Sequence, residues 1–193
     1  MFVRIMTGQT GFRSKGEILD LDGRTSFGAW RPECDSFRGS TEPSALPADL
    51  QSNFSILVPV MCRTLSMVKI SDHEISDIPV TRYQAHPDSL SRDQCYCPHG
   101  EESCLPSGYL NLESCYPDIS PPLAVSFPHG LHSPSNPLLT HPPSPDPDKH
   151  NIFFDINNQL GVPLAAQVII IVQFKDYFNQ DLTMSEKFVS MIT

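Results

Sequence analysis

The feature that most constrains this chain is a group of six cysteines, all of which lie between Cys34 and Cys115. The same stretch contains the only Asn-x-Ser sequon of the 193-residue sequence, which begins at Asn53. An even number of cysteines beside a glycosylation acceptor is typical of proteins that fold in an oxidising, extracellular or lumenal compartment. The sequence therefore predicts a disulfide-rich segment over residues 34–115 and glycosylation at Asn53.

The overall composition favours short strands and turns and argues against several classes of partner. The chain has 19 prolines, and each proline inside a helix costs about 3 kcal/mol, so long helices are unfavourable. Its net charge of -9 argues against nucleic acid as the main partner, because binding to phosphates needs a basic surface. The lysines and arginines are scattered, which argues against a polybasic patch for a membrane surface.

The sequence contains no recognisable targeting or membrane-spanning segment. Residues 1–5 lack the basic start and the apolar run of a signal peptide. The most apolar stretch, residues 160–174, is interrupted by Pro163, Gln167 and Gln173 and is too short for a bilayer-spanning helix. Because the cysteines indicate export, we expect this chain to be an interior piece of a larger protein or the product of a truncated gene model.

Strand-forming residues predict an antiparallel hairpin in the middle of the chain. Residues 65–70 have strand character. Residues 78–83 are predicted to be extended, since the residue before Pro79 avoids the helical region. The polar segment between them, Ser71–Glu74, is predicted to form the turn.

The C-terminal part of the chain predicts two more strands after a long loop. Residues 132–149 are proline-rich and polar, which predicts an exposed, semi-rigid loop, with a partner-binding polyproline segment as the alternative. The two strands are predicted at residues 151–156 and 163–174, with a turn at 157–161. The tail, residues 175–193, has only a weak pattern, which we interpret as a short helix.

Metal and nucleophile motifs are poorly supported by residue spacing. Cys95, Cys97, His99 and Cys104 are of zinc-ligand types, but structural zinc sites favour Cys-x2–4-Cys pairs and no second pair follows. Cys-x-Cys also differs from the Cys-x-x-Cys spacing of redox thiols. The sequence has no Gly-x-Ser-x-Gly elbow, no His-Glu-x-x-His motif and no glycine-rich phosphate loop.

The remaining titratable candidates fit surface and turn positions better than catalytic ones. Asp20 and Asp22 have the spacing of paired carboxylates on a strand, but we interpret them as turn aspartates. Four of the seven histidines lie in or beside the proline-rich loop, where solvated positions are expected: His129, His132, His141 and His150. We therefore predict no enzyme activity, no metal site and no cofactor.

The most apolar strand of the chain has no alternation. Val168–Val172 is a run of five aliphatic residues, so both faces of this strand must meet apolar surroundings. A central strand between two core layers is one interpretation. The other is that one face packs on the core while the second lines an apolar cavity for a lipid-like ligand.

Ordered blocks of residues across most of the chain resemble a known family. The blocks are Trp30-x3-Cys34, Cys62–Leu65, Ile78–Tyr83, Cys95–Cys97, Gly108–Cys115 and Ser126–His129. In order and spacing they resemble the class B scavenger receptors, which include platelet glycoprotein IV, the lysosomal integral membrane protein type 2 and the insect sensory neuron membrane proteins. The resemblance covers about residues 7–174; the segment 36–47 matches loosely, and the chain after Phe174 fits poorly.

This resemblance implies a place for the chain within a larger membrane protein. Family members have two membrane-spanning helices around a large domain, and residues 1–193 resemble a partial ectodomain, with the membrane anchors outside this chain. The implied fold is mainly β with short helices, as part of an irregular antiparallel β-barrel with an apolar tunnel and disulfide cross-links. The implied location is the extracellular side of the plasma membrane, or alternatively the lumenal side of the lysosomal membrane.

The resemblance also implies a disulfide pairing, which six cysteines alone leave open. The three implied bridges are Cys34–Cys95, Cys62–Cys115 and Cys97–Cys104. The first two interleave in the sequence, whereas the third closes a small loop.

Two classes of function follow from the resemblance. In the first, which we favour, the ectodomain binds fatty acids, sterols or lipoproteins and helps to transfer hydrophobic ligands to the membrane. We expect Ile169 and Ile171 to line the tunnel in that case. In the second class, the domain is an adhesion or pattern-recognition module that binds cells, microbes or a partner protein through its surface.

Overall fold

The computed structural model describes residues 2–9, 11, 15–41, 53–97, 100, 104–134, 144–175 and 182–191. These residues form a mainly β fold, as the sequence predicts. The described strands are β1 (Val3–Ile5), β2 (Ile18–Leu21), β3 (Phe54–Val58), β4 (Arg63–Ile75), β5 (Ile78–Ala85), β6 (Tyr109–Asn111), β7 (Leu123–Ser126), β8 (Phe153–Asn157), β9 (Val162–Lys175) and β10 (Leu182–Met191). The described α-helices are α1 (Pro32–Asp35) and α2 (Pro147–His150), and each has four residues.

The strands are arranged in a large sheet and a small ribbon. β1 and β2 pair with each other, while the large sheet has the order β3-β4-β5-β8-β9-β7-β6, and β10 pairs with β9 outside this path. Each pairing between the strands named above is antiparallel. Among the described residues β3 and β6 do not pair with each other, so the closed barrel stays a prediction.

The central hairpin forms as predicted, but its turn lies later than the sequence indicates. β4 continues through the polar residues and pairs with β5 as far as Ile75 opposite Ile78. The turn consists of Ser76 and Asp77, whose φ angles of 52° and 63° are both left-handed. A two-residue hairpin turn with two positive φ angles matches the right-handed twist of its strands. The prediction of a turn at Ser71–Glu74 is therefore wrong: these polar residues are strand residues at the solvent.

The C-terminal strands agree with the prediction up to Lys175 and differ after it. The turn between β8 and β9 is held by Asn157, whose Oδ1 accepts the backbone N–H groups of Gln159 (3.2 Å) and Leu160 (2.9 Å). The tail forms strand β10 rather than the short helix we predicted. It pairs with β9 from Met191 opposite Val168 to Leu182 opposite Lys175. The tail is a strand because the long β9 offers it an edge to pair with, which local propensity does not reveal.

The main hydrophobic core lies against this sheet. Alternate residues of a strand point to the same face, and several side chains of β4, β5 and β8 are buried on the face that meets this core. Residues from several elements are almost completely buried there: Leu65, Met67, Tyr83, Phe127 and Ile156. Full burial of one such side chain contributes about 1.5–3 kcal/mol. This core fixes the strands that carry the site described below.

The proline-rich loop is described only at its two ends. Residues 132–134 and 144–149 are described, and the stretch between them, including His141, lies outside the described residues. At its C-terminal end the carboxylate of Asp146 accepts the N–H of Asp148 (3.0 Å) and caps α2, which begins at Pro147. Proline is favoured at this first helical position because its missing N–H has no partner there in any case.

Candidate functional site

An apolar cavity of about 380 Å³ is the candidate site. Its walls come from the turn after β3, the loop between β6 and β7, and the strands β7 and β9. The lining residues are Val60, Met61, Leu112, Tyr116, Ile119, Pro121, Leu123, Val125, Ile170 and Val172. Ligand sites in proteins are commonly concave and predominantly apolar, with volumes of about 300–1,000 Å³. The cavity therefore has the size and the chemistry of a site for a hydrophobic ligand.

One wall of the cavity is a continuous piece of sheet. Val125 of β7 lies directly opposite Val172 of β9. Residues directly opposite each other in a sheet share a face, and residues two apart on one strand also share it. Val125, Val172 and Ile170 therefore present one smooth aliphatic surface to the cavity.

The opposite wall consists of two loops that a disulfide joins. Met61 and Tyr116 both line the cavity, and each immediately neighbours one cysteine of the Cys62–Cys115 bridge. Cys62 adopts a left-handed φ of 48°, and its N–H closes the 3-10 turn Pro59–Met61 by donating to the carbonyl oxygen of Pro59 (3.0 Å). The bridge thus holds the two loops against each other without help from a strand ladder.

The cavity has an exposed apolar rim. The side chain of Ile119 is 74% exposed and that of Val60 is 61% exposed, although both also line the cavity. The hydroxyl of Tyr116 donates a hydrogen bond to the carbonyl oxygen of Val60 (2.9 Å) and connects the two loops at this rim. Apolar side chains therefore extend from the interior of the cavity to the protein surface.

The predicted tunnel residues lie on the other face of β9. Ile170 and Val172 line the cavity, so Ile169 and Ile171, which alternate with them, project to the opposite side of the sheet. Ile171 is 4% exposed on that side. Because all five residues of the run are aliphatic, the sequence could not indicate which alternate set faces the cavity. The assignment of Ile169 and Ile171 to a tunnel stays a prediction.

The cysteine cluster considered as a zinc site is bonded in disulfides. The structure contains the bridges Cys34–Cys95, Cys62–Cys115 and Cys97–Cys104, with Cα–Cα distances of 5.7, 5.7 and 5.5 Å. Sulfurs in disulfides are not thiolate ligands, and His99 lies outside the described residues. The described residues also contain no group of three or more metal-binding side chains.

The Tyr96 ring, which lies between the bonded cysteines Cys95 and Cys97, makes contacts with two other side chains. The rings of Trp30 and Tyr96 pack edge to face with centroids 5.4 Å apart. The Trp30 Nε1 donates a hydrogen bond to the carbonyl oxygen of Cys62. The guanidinium carbon of Arg63 lies 3.6 Å from the centroid of the Tyr96 ring. These contacts join the segment before α1, the start of β4 and the turn at residues 94–96.

Asn53, the predicted glycosylation site, lies at the surface just before β3. It is exposed, and its side-chain Oδ1 accepts the backbone N–H of Lys69 (3.1 Å). This hydrogen bond fixes an exposed amide at the sheet edge. Glycosylation of Asn53 stays a prediction.

The carboxylates of Asp20 and Asp22 form contacts within the ribbon of β1 and β2. Asp20 accepts the backbone N–H of Gly23 (3.0 Å) and forms an ion pair with Arg4. Asp22 accepts the N–H of Phe2 (2.6 Å). Both carboxylates therefore stabilise the turn after β2.

Two histidines pack together where the proline-rich loop ends. The rings of His129 and His150 lie 4.4 Å apart, and the His150 Nδ1 accepts the backbone N–H of Asp146 (2.8 Å). Burial, followed by the nearby His129, lowers the pKa of His150 below its ordinary value of 6.5. The neutral form of His150 is therefore the one that the fold favours.

The described helices do not reach the length and apolar character that a bilayer-spanning helix requires.

Comparisons with known proteins give similarities over most of the chain. Residues 2–192 match the CD36 family. The chain is 28% identical to sensory neuron membrane protein 1 of Mamestra brassicae over an alignment of 193 positions. This alignment covers 96% of this chain and 34% of that protein. It is 28% identical to the same protein of Ostrinia furnacalis over 173 residues, covering 86% of this chain and 32% of the relative.

A mammalian relative is similar to the same degree. The chain is 28% identical to scavenger receptor class B member 1 of Cricetulus griseus over 171 residues, covering 85% of this chain and 33% of that protein. The chain thus spans about a third of the length of the curated relatives it matches. The resemblance seen in the sequence is confirmed, and the chain belongs to the CD36 family.

Proposed function

We propose that this chain is part of the ectodomain of a scavenger-receptor-type membrane glycoprotein. Its apolar cavity would bind lipids, such as fatty acids, sterols or the lipids of lipoproteins, and help to transfer them to the membrane. The observation that carries this proposal is the cavity between β7, β9 and the disulfide-linked loops. The ligand is bound noncovalently, and no catalytic step is required.

The chemistry of the walls defines the class of ligand. The ten lining side chains are apolar apart from the hydroxyl of Tyr116, which already donates to Val60 at the rim. Each methylene group moved from water into such a site contributes about 0.8 kcal/mol. An alkyl chain or a sterol ring system therefore fits, whereas a strongly polar ligand would lose its hydration without receiving hydrogen bonds in return.

The exposed rim supports transfer rather than storage of the ligand. Val60 and Ile119 line the cavity and are also exposed. A hydrophobic molecule that leaves the cavity thus meets apolar side chains before it meets water. The rest of the receptor, including its membrane anchors, would take part in the transfer.

The test is binding of a fluorescent fatty acid and a fluorescent sterol to the full chain with its disulfides oxidised. We expect Ile170→Asp and Val172→Asp each to weaken binding at least about tenfold, because a carboxylate in an apolar site must stay hydrated. Leu164→Asp is the matched control, since Leu164 is an exposed residue of the same strand that does not line the cavity. Equal affinities for all three variants and the wild type would overturn the proposal.

Ile169→Asp and Ile171→Asp belong in the same binding assay. If these two variants weaken binding of the probe while Ile170→Asp and Val172→Asp do not, the ligand lies on the other face of β9. That result would favour the tunnel assignment made from the sequence over the cavity between the loops.

A second function, recognition through the surface, is supported by a different region. The small ribbon carries three exposed apolar side chains: Phe2 is 83% exposed, Leu19 47% and Ile5 40%. Exposed apolar groups of this kind occur at contact sites between proteins. If Phe2→Ser and Leu19→Ser reduce binding of the protein to cells or particles and leave lipid affinity unchanged, surface recognition is a separate activity.

A further inference from the structure

Exposed and buried side chains both line the apolar cavity, and this gives the cavity a direction. Val60 and Ile119 line it and are exposed at its rim. Three further lining residues are almost completely buried: Met61 is 2% exposed, Val125 3% and Leu112 5%. A ligand that enters from the rim therefore passes the exposed residues first and reaches the buried residues last.

Met61 belongs both to the wall of the cavity and to the main hydrophobic core. It is the last residue of the 3-10 turn Pro59–Met61, and the residue before it, Val60, lies at the rim. The backbone at the end of this turn is held covalently, because the next residue, Cys62, is bonded to Cys115. The Met61 side chain thus lies between the cavity and the core residues behind it.

Methionine is the most adaptable of the three buried side chains that line the cavity. It is unbranched and polarizable, so it can fill an irregular gap and change its shape at low cost. The side chains of Leu112 and Val125 are branched and shorter, and Val125 is also held in a ladder, opposite Val172 of β9. Met61 is therefore the lining residue best suited to determine how deep a ligand reaches.

We propose that Met61 forms the inner end of the ligand site and limits the length of the alkyl chain that the cavity accepts. This role rests on the proposed function, because it concerns the same cavity. The ligand class is a flexible single-chain amphiphile, whose methyl end contacts Met61 and whose polar head stays at the rim beside Val60 and Ile119. The reverse orientation would bury the polar head among apolar side chains without hydrogen-bond partners.

The experiment measures the affinities of saturated fatty acids of increasing length for the oxidised full chain, below their micelle concentrations, by displacement of a fluorescent fatty acid. In the wild type, affinity should rise about fourfold per methylene group and should stop rising once the methyl end reaches Met61. Met61→Ala should move this limit to chains longer by about three carbon atoms, because it removes the three outer heavy atoms of the side chain. An unchanged limit in Met61→Ala would overturn the proposal.

Met67→Ala is the matched control. Met67 is also buried in the main hydrophobic core but does not line the cavity. The two substitutions remove the same atoms from the same core, so both should lower the thermal midpoint. Only Met61→Ala should move the chain-length limit. If Met67→Ala moves the limit by the same amount, a loosened core rather than the position of Met61 is the cause, and the proposal fails.

A measurement on the wild type keeps the test decisive if Met61→Ala does not fold. Two photoreactive fatty acids carry a diazirine, one at the methyl end and the other next to the carboxyl group. The first should cross-link to Met61 and the second to the rim at Ile119, as located by mass spectrometry. Cross-linking of both probes at the rim, or in the reverse pattern, would refute the role of Met61.

The outcomes also separate this role from the proposed function. If no fatty acid displaces the fluorescent probe from the wild type, lipid binding itself is absent and the proposed function fails. If fatty acids bind but their chain-length limit and their cross-links do not depend on Met61, the cavity binds lipid and only the role of Met61 is refuted.

Discussion

The cysteine loops and the central strands of this protein are ordered by different means. We define the cysteine loops as residues 28–37, 59–63, 91–97 and 104–119, and the central strands as β5, β8 and β9. The cysteine loops contain little β-structure beyond β6 and are joined by three disulfides. The central strands contain no cysteine and are joined by antiparallel ladders.

Each region also buries one carboxylate, and again by different means. In the cysteine loops, Asp35 accepts the backbone N–H groups of Gly28 (2.6 Å), Ala29 (3.1 Å) and Trp30 (3.1 Å). In the central strands, both oxygens of Asp155 accept hydrogen bonds of 2.8 Å from Arg82. In the cysteine loops, where no strand ladder provides acceptors for these backbone N–H groups, the Asp35 carboxylate accepts them. In the central strands the ladders provide the acceptors, so the Asp155 carboxylate can form an ion pair.

The apolar cavity lies at the junction of the two regions. One wall belongs to β9, whose backbone is fixed by neighbouring strands, and the other to loops fixed by the Cys62–Cys115 bridge. The cavity should therefore depend on covalent bonds on one side and on sheet packing on the other. The following changes test this difference, in order of decreasing effect.

Removal of the Cys62–Cys115 bridge should have the largest effect. The bridge spans 53 residues and the Cys97–Cys104 bridge only 7, and in the chain-entropy model they stabilise the fold by about 4 and about 2.5 kcal/mol. We expect Cys62→Ala/Cys115→Ala to lose more stability in urea unfolding than Cys97→Ala/Cys104→Ala. The first variant should also lose binding of the fluorescent fatty acid, and the second should keep it. Equal losses of binding would mean that the bridge next to Met61 and Tyr116 does not hold the cavity.

In the central strands, Asp155→Ala should destabilise the protein by about 3 kcal/mol. Asp155 is only 1% exposed, and its loss leaves the Arg82 guanidinium partly buried without a partner. The hydrogen bonds that Arg82 donates to this carboxylate also raise the pKa of Arg82. Urea unfolding measures the loss, and the double variant Arg82→Met/Asp155→Ala should recover part of it. If the double variant is as unstable as the single one, the pair is not the source of the effect.

The region with regular ladders was the easier one to predict from the sequence. The strands around Tyr83 and Ile156 follow from strand-forming residues, from the extended backbone before Pro79 and from a clear turn at Asn157–Gly161. The turn at Ser76 and Asp77 was missed because the more polar Ser71–Glu74 segment gave a stronger local signal. The tail was missed because a strand such as β10 depends on its partner β9, which is a tertiary effect.

The candidate site could be predicted only in part, for a physical reason. The aliphatic run Val168–Val172 indicated an apolar lining, but the run has no alternation that would separate Ile170 and Val172 from Ile169 and Ile171. The second wall comes from Leu112, Tyr116 and neighbouring loop residues, whose place depends on the disulfide pairing. Loop residues have no regular sequence pattern that would indicate that they line a cavity.

In the cysteine loops, Asp35→Asn should cost about 2 kcal/mol, since it turns a charge-assisted acceptor of three N–H groups into a neutral amide. The Asn Oδ1 can still accept, but the amide NH2 then faces at least one backbone donor. Near-UV circular dichroism should report the change, because Trp30 donates one of these N–H groups. Glu33→Gln, on the exposed side of α1, is the control and should change stability little. A stable Asp35→Asn variant would show that the disulfides alone order this loop.

At the junction, Tyr116→Phe should have a smaller effect of about 1 kcal/mol on stability, because it removes one hydrogen bond between the two loops. The aromatic ring stays in place as part of the wall. We expect the affinity for a fluorescent fatty acid to change by less than about fivefold, whereas Tyr116→Ala should lower it further. Urea unfolding and probe titration measure the two effects. A large loss of affinity in Tyr116→Phe would mean that the hydroxyl contacts the ligand.

The smallest effect concerns acid, and it should arise from two histidines that lie outside the cysteine loops. Burial lowers the pKa values of both His150 and His132 below 6.5. For a base with a lowered pKa, the unfolded chain binds more protons than the folded one as the pH falls below about 6.5, so stability decreases on acidification. Protonation of His150 at Nδ1 would also remove its hydrogen bond from Asp146 N–H and place a charge beside His129 and Lys149.

Thermal midpoints between pH 7 and pH 5.5 measure this acid effect. His150→Asn keeps an acceptor for the Asp146 N–H but does not titrate, so it should lose less stability than the wild type over this range. His150→Asn/His132→Asn should be less sensitive still, whereas the Cys97→Ala/Cys104→Ala variant should keep the wild-type slope. An unchanged slope in the double histidine variant would show that the acid response arises from other groups.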